Sequence, residues 1–189
     1  MRVIAGTHRG RRLQGPKGTT LRPTSDRVRE ALFSILGDRL VNSRMLDLYA
    51  GTGAIGIEAV SRGAGHVTCV ESSSQAMHLL RRNISDCTMG HRIMVHQQTV
   101  AQFLQQPARW GGPYDIVFAD PPYARTEELE SLFGGATSEA LFADDAWLIV
   151  EHAAKSALPP RLGRGAFLRR YRYGDTALSL YSYSAPVRS

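Results

Sequence analysis

The residues best suited to chemistry follow the apolar run Ile116–Ala119 and read Asp120-Pro121-Pro122-Tyr123. Successive prolines remove two backbone donors and fix two φ angles, leaving a rigid turn whose carbonyls face outward. An exocyclic amine on a nucleobase is a poor nucleophile because its lone pair is delocalised into the ring. Asp120 and a turn carbonyl can accept its two N–H groups and aim the lone pair at a methyl donor. Tyr123 offers a ring on which a base taken out of its helix can stack. A site for that donor is written upstream. Gly51, Gly53 and Gly56 satisfy GxGxxG, and Glu71 lies twenty residues beyond Gly51. On glycine spacing alone, a dinucleotide, S-adenosylmethionine or a ligand-free strand–helix turn would serve. Asp47 favours S-adenosylmethionine, since a carboxylate buried at that strand end attracts an ammonium group and repels a pyrophosphate. The expected cofactor contacts are Asp47, Tyr49, Ala50, Gly51, Gly53, Glu71 and Ser72.

Other chemistries fit poorly. Methylation at a cytosine C5 needs a thiolate, yet Cys69 falls inside a strand and Cys87 at a helix end, both packing positions. Two cysteines make neither a disulfide framework nor a four-ligand zinc site, and they suit a reducing cytoplasm. The six histidines are scattered, and no carboxylate pair or Ser-His-Asp set lies at the strand ends, so no metal is expected. No apolar run approaches the roughly 18 residues a bilayer crossing requires, and the N-terminal apolar stretch is too short for a secretory signal.

The elements that must position these residues alternate. Two strand-like pieces, Arg2–Ala5 and Arg11–Leu13, flank a turn, and a helix capped by Thr24 or Ser25 buries Val28, Ala31, Leu32, Ile35 and Leu36 before Gly37. Strands are predicted over Met45–Tyr49, His66–Glu71, Ile93–His96, Tyr114–Ala119 and Ala146–His152, with helices over 53–62, 74–86, about 100–105 and through Leu129–Phe133. Phe167–Tyr173 and Thr176–Tyr183 flank the hairpin turn Gly174-Asp175. The expectation is an α/β, Rossmann-like sheet with an antiparallel C-terminal hairpin strand and a small N-terminal hairpin-and-helix extension. Ligands bind such sheets at the carboxyl ends of their strands.

Charge divides the chain in the same way. Residues 1–44 carry ten Arg or Lys against three acids, a net +7, whereas the other 145 residues sum to −1. Concentrated positive charge suits a phosphate backbone, so residues 1–43 read as a basic, RNA-contacting extension and 44–189 as the catalytic domain. Arg9, Arg11 and Arg12 have no nearby acids in sequence and are expected to lack internal partners. Arg22 and Arg27 are expected to approach the site from the helix start.

Taken together, these residues resemble the RsmD family, bacterial enzymes that methylate N2 of one guanine in 16S ribosomal RNA. The resemblance spans nearly the whole chain. It covers Ile4-Ala5-Gly6, Gly10-Arg11-Arg12-Leu13, Leu46-Asp47-Leu48-Tyr49-Ala50-Gly51-Thr52-Gly53, Glu71-Ser72, Asp120-Pro121-Pro122-Tyr123 and Tyr173-Gly174-Asp175-Thr176. Arg22-Pro23-Thr24-Ser25-Asp26-Arg27-Val28-Arg29-Glu30 is its most discriminating stretch. It implies a class I S-adenosylmethionine-dependent methyltransferase fold, with Asp47, Gly51, Gly53 and Glu71 on the cofactor. It also implies guanine at Asp120 and Tyr123, RNA on the N-terminal arginines, and a cytoplasmic monomer acting on 16S RNA or a small-subunit assembly intermediate. Many methyltransferases place an Asp after the third strand for the adenine amine. Here Gln97-Gln98-Thr99-Val100 leaves that contact to Gln98 or a backbone group. An adenine-N6 methyltransferase could use the same Asp-Pro-Pro-Tyr turn, but the chain has no room for a target-recognition domain. A non-catalytic RNA-binding relic would be expected to carry damaged motifs.

Overall fold

The computed structural model describes residues 1–15, 25–122, 128–135 and 140–184, so Arg22 and Tyr123 lie outside the described residues. The chain forms two compact units, Met1–Val100 and Ala101–Ser189.

In the first unit, α1 (Asp26–Leu36) precedes β1 (Arg44–Leu48), α2 (Ala54–Ser61), β2 (His66–Glu71), α3 (Ser74–Asp86) and β3 (Ile93–Gln97). The strands lie in the order β3-β2-β1, all parallel, with Leu48 opposite Val70 and Glu71 opposite Gln97. Parallel strands need cover on both faces, and four consecutive residues are buried in each of β1 and β2. Every residue of α2 is buried, Glu58 included. Of the two candidate caps, Ser25 serves α1: its hydroxyl accepts from Val28 N–H at 3.3 Å. The buried face of α1 is Val28, Arg29, Leu32, Phe33 and Leu36, with Ala31 and Ile35 only half-buried. That face is turned from the expected one because Phe33 buries more surface than either, and Arg62 lies over its ring at 4.8 Å. A 3-10 turn over Gly37–Leu40 then leads to β1. The N-terminal pieces meet as a hairpin through one bridge, Arg2 to Arg12, instead of two full strands. Val3 and Leu13 are its buried residues.

A short helix, α4 (Val100–Leu104), precedes β4 (Tyr114–Ala119), α5 (Glu128–Phe133), β5 (Phe142–Ala153), β6 (Arg161–Leu162), β7 (Gly165–Tyr173) and β8 (Thr176–Tyr183). Within the second unit the order is β4-β5-β8-β7-β6. β4 and β5 are parallel, while β8 runs antiparallel to both β5 and β7, as the hairpin signal predicts. β5 begins four residues before the predicted Ala146 because Phe142 pairs with Tyr114 across a register shift. Polar Asp144-Asp145, with Asp145 at φ 60°, hides that continuation from hydrophobic patterning. β7 likewise starts at Gly165, where it pairs with the two-residue β6. The α/β class with mostly parallel pairing is as expected. Among the described residues, no helix is long and apolar enough to cross a membrane, and no cluster of three or more His, Cys, Asp or Glu is placed to hold a metal.

Candidate functional site: a glycine turn, a proline turn and a basic hairpin

The parallel register of the first unit brings three strand ends together. Asp47, fully buried on β1, accepts a hydrogen bond at Oδ2 from Gly56 N–H at 3.1 Å, tying the strand to the first turn of α2. Between them the chain turns through half-buried Tyr49 at φ 64°, buried Ala50, Gly51 at φ +55° and Gly53 at φ +80°. A left-handed tyrosine is costly and marks a turn held by its surroundings. Glu71 supplies part of that hold. Its Oε2 accepts from Gly51 N–H at 2.8 Å and its Oε1 from Ser73 N–H at 2.7 Å. Each oxygen has a second lone pair for a hydroxyl donor. The main chain repeats the link, with Ala50 N–H on Val70 O at 3.0 Å and Gln98 N–H on Glu71 O at 3.1 Å. Ser72 and Thr99 are exposed beside it. Gln98 is half-buried, and its side-chain Nε2 is buried with no hydrogen-bond partner among the described residues.

The glycines do different work. A Cβ on Gly53 would meet Leu80 Cδ1 at 2.1 Å, and one on Gly56 would meet Cys69 Sγ at 2.8 Å. Gly53 therefore lets α3 pack beneath the turn, and Gly56 lets α2 lie close on β2. A larger side chain at Gly53 would be driven into Leu80 of α3, so this position serves packing as well as the turn. Gly51 is the reverse case, with nothing within 4 Å of an added Cβ. Open space there, an orphaned amide at Gln98 and paired acceptors at Glu71 fit an adenosine-bearing ligand with hydroxyls.

Asn83 had no part in the expected site. Fully buried on α3, it donates from Nδ2 to Thr52 O at 2.9 Å and to Gln14 O at 3.0 Å, and accepts from Gln14 N–H at 2.7 Å. It thus holds the glycine turn by the carbonyl of Thr52. Its signal was a polar residue on the helical stripe of Ala76 and Leu80. Burial pushes the Cys69 thiol well up, with the Asp47 carboxylate adding to it, and burial also raises Cys87. Neither is a ready thiolate.

In the second unit, Asp120 leaves the end of β4 half-buried, followed by buried Pro121 and exposed Pro122. Ala119 pairs with Val150 of β5, so the strand is fixed up to the residue before Asp120.

The basic hairpin sits on α2. Glu58 accepts from Ile4 N–H at 2.7 Å and Ala5 N–H at 2.9 Å, while Ser61 takes Thr7 N–H on its carbonyl at 2.8 Å and His8 N–H on its hydroxyl at 2.9 Å. Glycine is required at position 6, since a Cβ would lie 1.8 Å from Ser61 O. Glu58 also pairs with Arg62 at 2.7 Å and lies 4.0 Å from Nη1 of Arg29, itself fully buried. Arg9, Arg11, Arg12 and Arg27 are exposed. Arg11 is not without a partner, as its Nη1 donates to Asp86 O at 3.1 Å. The sequence shows acids near in number, not carbonyls near in space.

The family model described as Conserved hypothetical protein 95 matches residues 1–182. The Ribosomal RNA small subunit methyltransferase D of Escherichia coli strain K12 is 36% identical over 189 residues, covering all of this chain and 93% of that one. The chain belongs to the RsmD family. Its likeness to solved structures agrees. An Escherichia coli structure described as a methyltransferase, yhhF, is 36% identical with a TM-score of 0.84, covering 98% of this RsmD-family chain and 99% of that one. An RNA methyltransferase from Salinibacter ruber, solved with S-adenosyl-L-homocysteine, shares the fold at 12% identity and a TM-score of 0.64, covering 88% of this chain and 96% of that one. The fold is that of the class I methyltransferases.

Proposed function

We propose that this RsmD-family protein methylates the N2 amine of a guanine in 16S ribosomal RNA, using S-adenosylmethionine, as a cytoplasmic monomer acting on the small subunit or its assembly intermediate. The observation that carries the reading is a Glu71-held glycine turn and an intact Asp-Pro-Pro-Tyr sequence in one chain whose relative is named for the same class of reaction. When bound, S-adenosylmethionine supplies an electrophilic methyl group on a sulfonium. The turn around Tyr49–Gly51, anchored through Asp47, would hold its amino-acid part, Glu71 would accept its ribose hydroxyls, and Gln98 would meet the adenine edge. Ser72 and Thr99 flank these contacts. Asp120 and a carbonyl of the Pro121-Pro122 turn accept from the guanine amine, and Tyr123 stacks on its ring. No strong base is needed, since the amine becomes acidic once methylated and then sheds its proton to water. Unmodified small subunits and free 16S RNA, each incubated with labelled S-adenosylmethionine, test the reading by mapping the modified nucleotide. N2-methylguanine supports it; N6-methyladenine or no transfer overturns it.

The two binding functions separate by mutation. Gly51→Ala places a methyl group in the open space of the turn at a cost of roughly 1–2 kcal/mol for its left-handed backbone. Calorimetry should show S-adenosylhomocysteine binding at least tenfold weaker in a protein that still unfolds cooperatively. Unchanged affinity would remove the ligand from that side of the turn. The variant Arg9→Ala/Arg11→Ala/Arg12→Ala should reduce the salt dependence of RNA binding by about two to three log–log units, with cofactor affinity unchanged. An unaltered slope would make the hairpin a solvated tail.

A further inference from the structure

Residues 152–174 hold Lys155, Arg161, Arg164, Arg169, Arg170 and Arg172 and not one Asp or Glu. The regional sum conceals this +6 block, because residues 45–151 carry six basic side chains against thirteen acidic ones. Its last three arginines lie exposed on β7. β7 pairs along its length with β8, which is buried on both faces. On the other side β6 reaches only Gly165 and Ala166, so Leu168–Tyr173 presents an edge paired with no described strand. Arg169 lies over the Tyr171 ring at 5.1 Å, Arg170 donates to the Ala154 carbonyl, and Arg172 Nε donates to Gly174 O at 3.2 Å. Carbonyls and a ring orient these guanidinium groups without neutralising them. Beside them Phe167 and Leu168 are 41% and 52% exposed.

We infer that the β7 edge of the second unit is a second RNA-docking surface, in which Arg170 and Arg172 on one face and Arg169 on the other take backbone phosphates, and Phe167, on the face of Arg170, offers its ring to an unstacked base. The inference rests on the RNA-methyltransferase reading above and adds a surface to it. Charge complementarity selects the occupant. Six cations with no acid among them suit a polyanion, and guanidinium forks match phosphate oxygens. Aromatic rings among arginines form the usual platform for single-stranded nucleic acid. A protein strand adding to the edge is disfavoured by the shape of β7 itself. A register shift between Phe167 and Arg169 bends the strand, and bulges and charges are what keep edges from pairing.

The test uses the full chain and unmodified 16S ribosomal RNA, titrated across salt. Arg169→Gln/Arg170→Gln/Arg172→Gln should lower the log–log slope by about two to three units while leaving S-adenosylhomocysteine affinity unchanged. Combined with the hairpin variant, the two decreases should add. Lysine at all three positions should restore the slope, since counterion release counts charge. An unchanged slope in the glutamine variant, with wild-type protein binding and methylating the RNA, overturns the docking surface alone. If that variant instead forms dimers in sedimentation and keeps its slope, the arginines guard a strand edge and the inference fails. If the wild-type chain neither binds nor methylates the RNA, the function proposed above falls and takes this surface with it.

Discussion

Asp120→Ala should lower the rate of RNA methylation roughly a hundredfold or more while S-adenosylhomocysteine binds about as well as before. The loss would be large because, in the proposed role, the acceptor acts on charge that develops at the amine as it attacks. In the ground state the lone pair is shared with the ring and the hydrogen bond is ordinary. As the nitrogen becomes tetrahedral and positive, its N–H groups become stronger donors, and a fixed carboxylate gains on them. Asp120 stands half-buried at the end of a strand that is otherwise almost wholly buried. Asp120→Asn retains an oxygen acceptor without the charge and should fall between the two. Single-turnover rates with saturating RNA make the comparison, and a near-wild-type rate for alanine would remove Asp120 from the chemistry.

Glu58→Ala should destabilise the protein by about 3–5 kcal/mol, the usual cost of leaving a buried charge without its partner. Glu58 and Arg29 are both fully buried, 4.0 Å apart, and Asp26, the other carboxylate on Arg29, is largely exposed. Removing Glu58 also strips the acceptor from Ile4 N–H, Ala5 N–H and Arg62. Denaturant titration measures the total, and amide exchange should show the hairpin protons of Ile4 and Ala5 opening first. Replacing Arg29 as well, by Met, should recover part of the loss, since the pair then leaves together. A single-variant cost below about 1 kcal/mol would mean that the buried arginine is satisfied without Glu58.

These two residues mark where the sequence was legible and where it was not. Asp120 stands out as a candidate because proline pairs and strand ends are local signals; the glycine turn, Glu71 at the end of β2 and the hairpin turn at Gly174 are local in the same way. Glu58, Arg29 and Asn83 were missed for a shared reason. Each is a polar residue on the buried face of a helix, and periodicity counts it as noise in the stripe. Its meaning depends on a partner far along the chain: Ile4 for Glu58, Arg2 and Glu58 for Arg29, Gln14 and Thr52 for Asn83. The basic stretch on β7 was lost differently, by averaging charge over a span that also held most of the acids.

The dock of the hairpin on α2 also sets an order of events at birth. Ile4 and Ala5 find their acceptor 54 and 53 residues later in the chain. At translation rates of about 5–20 residues per second, Glu58 is made about 3–10 s after the hairpin it will hold. During that interval the first basic segment has left the peptidyl-transferase centre with its backbone donors unclaimed. It emerges from a particle made largely of RNA, the polyanion its arginines suit. Closure of the hairpin on α2 is therefore the step that withdraws Ile4 and Ala5 from other acceptors, and it cannot precede the helix that carries the glycine turn at its other end.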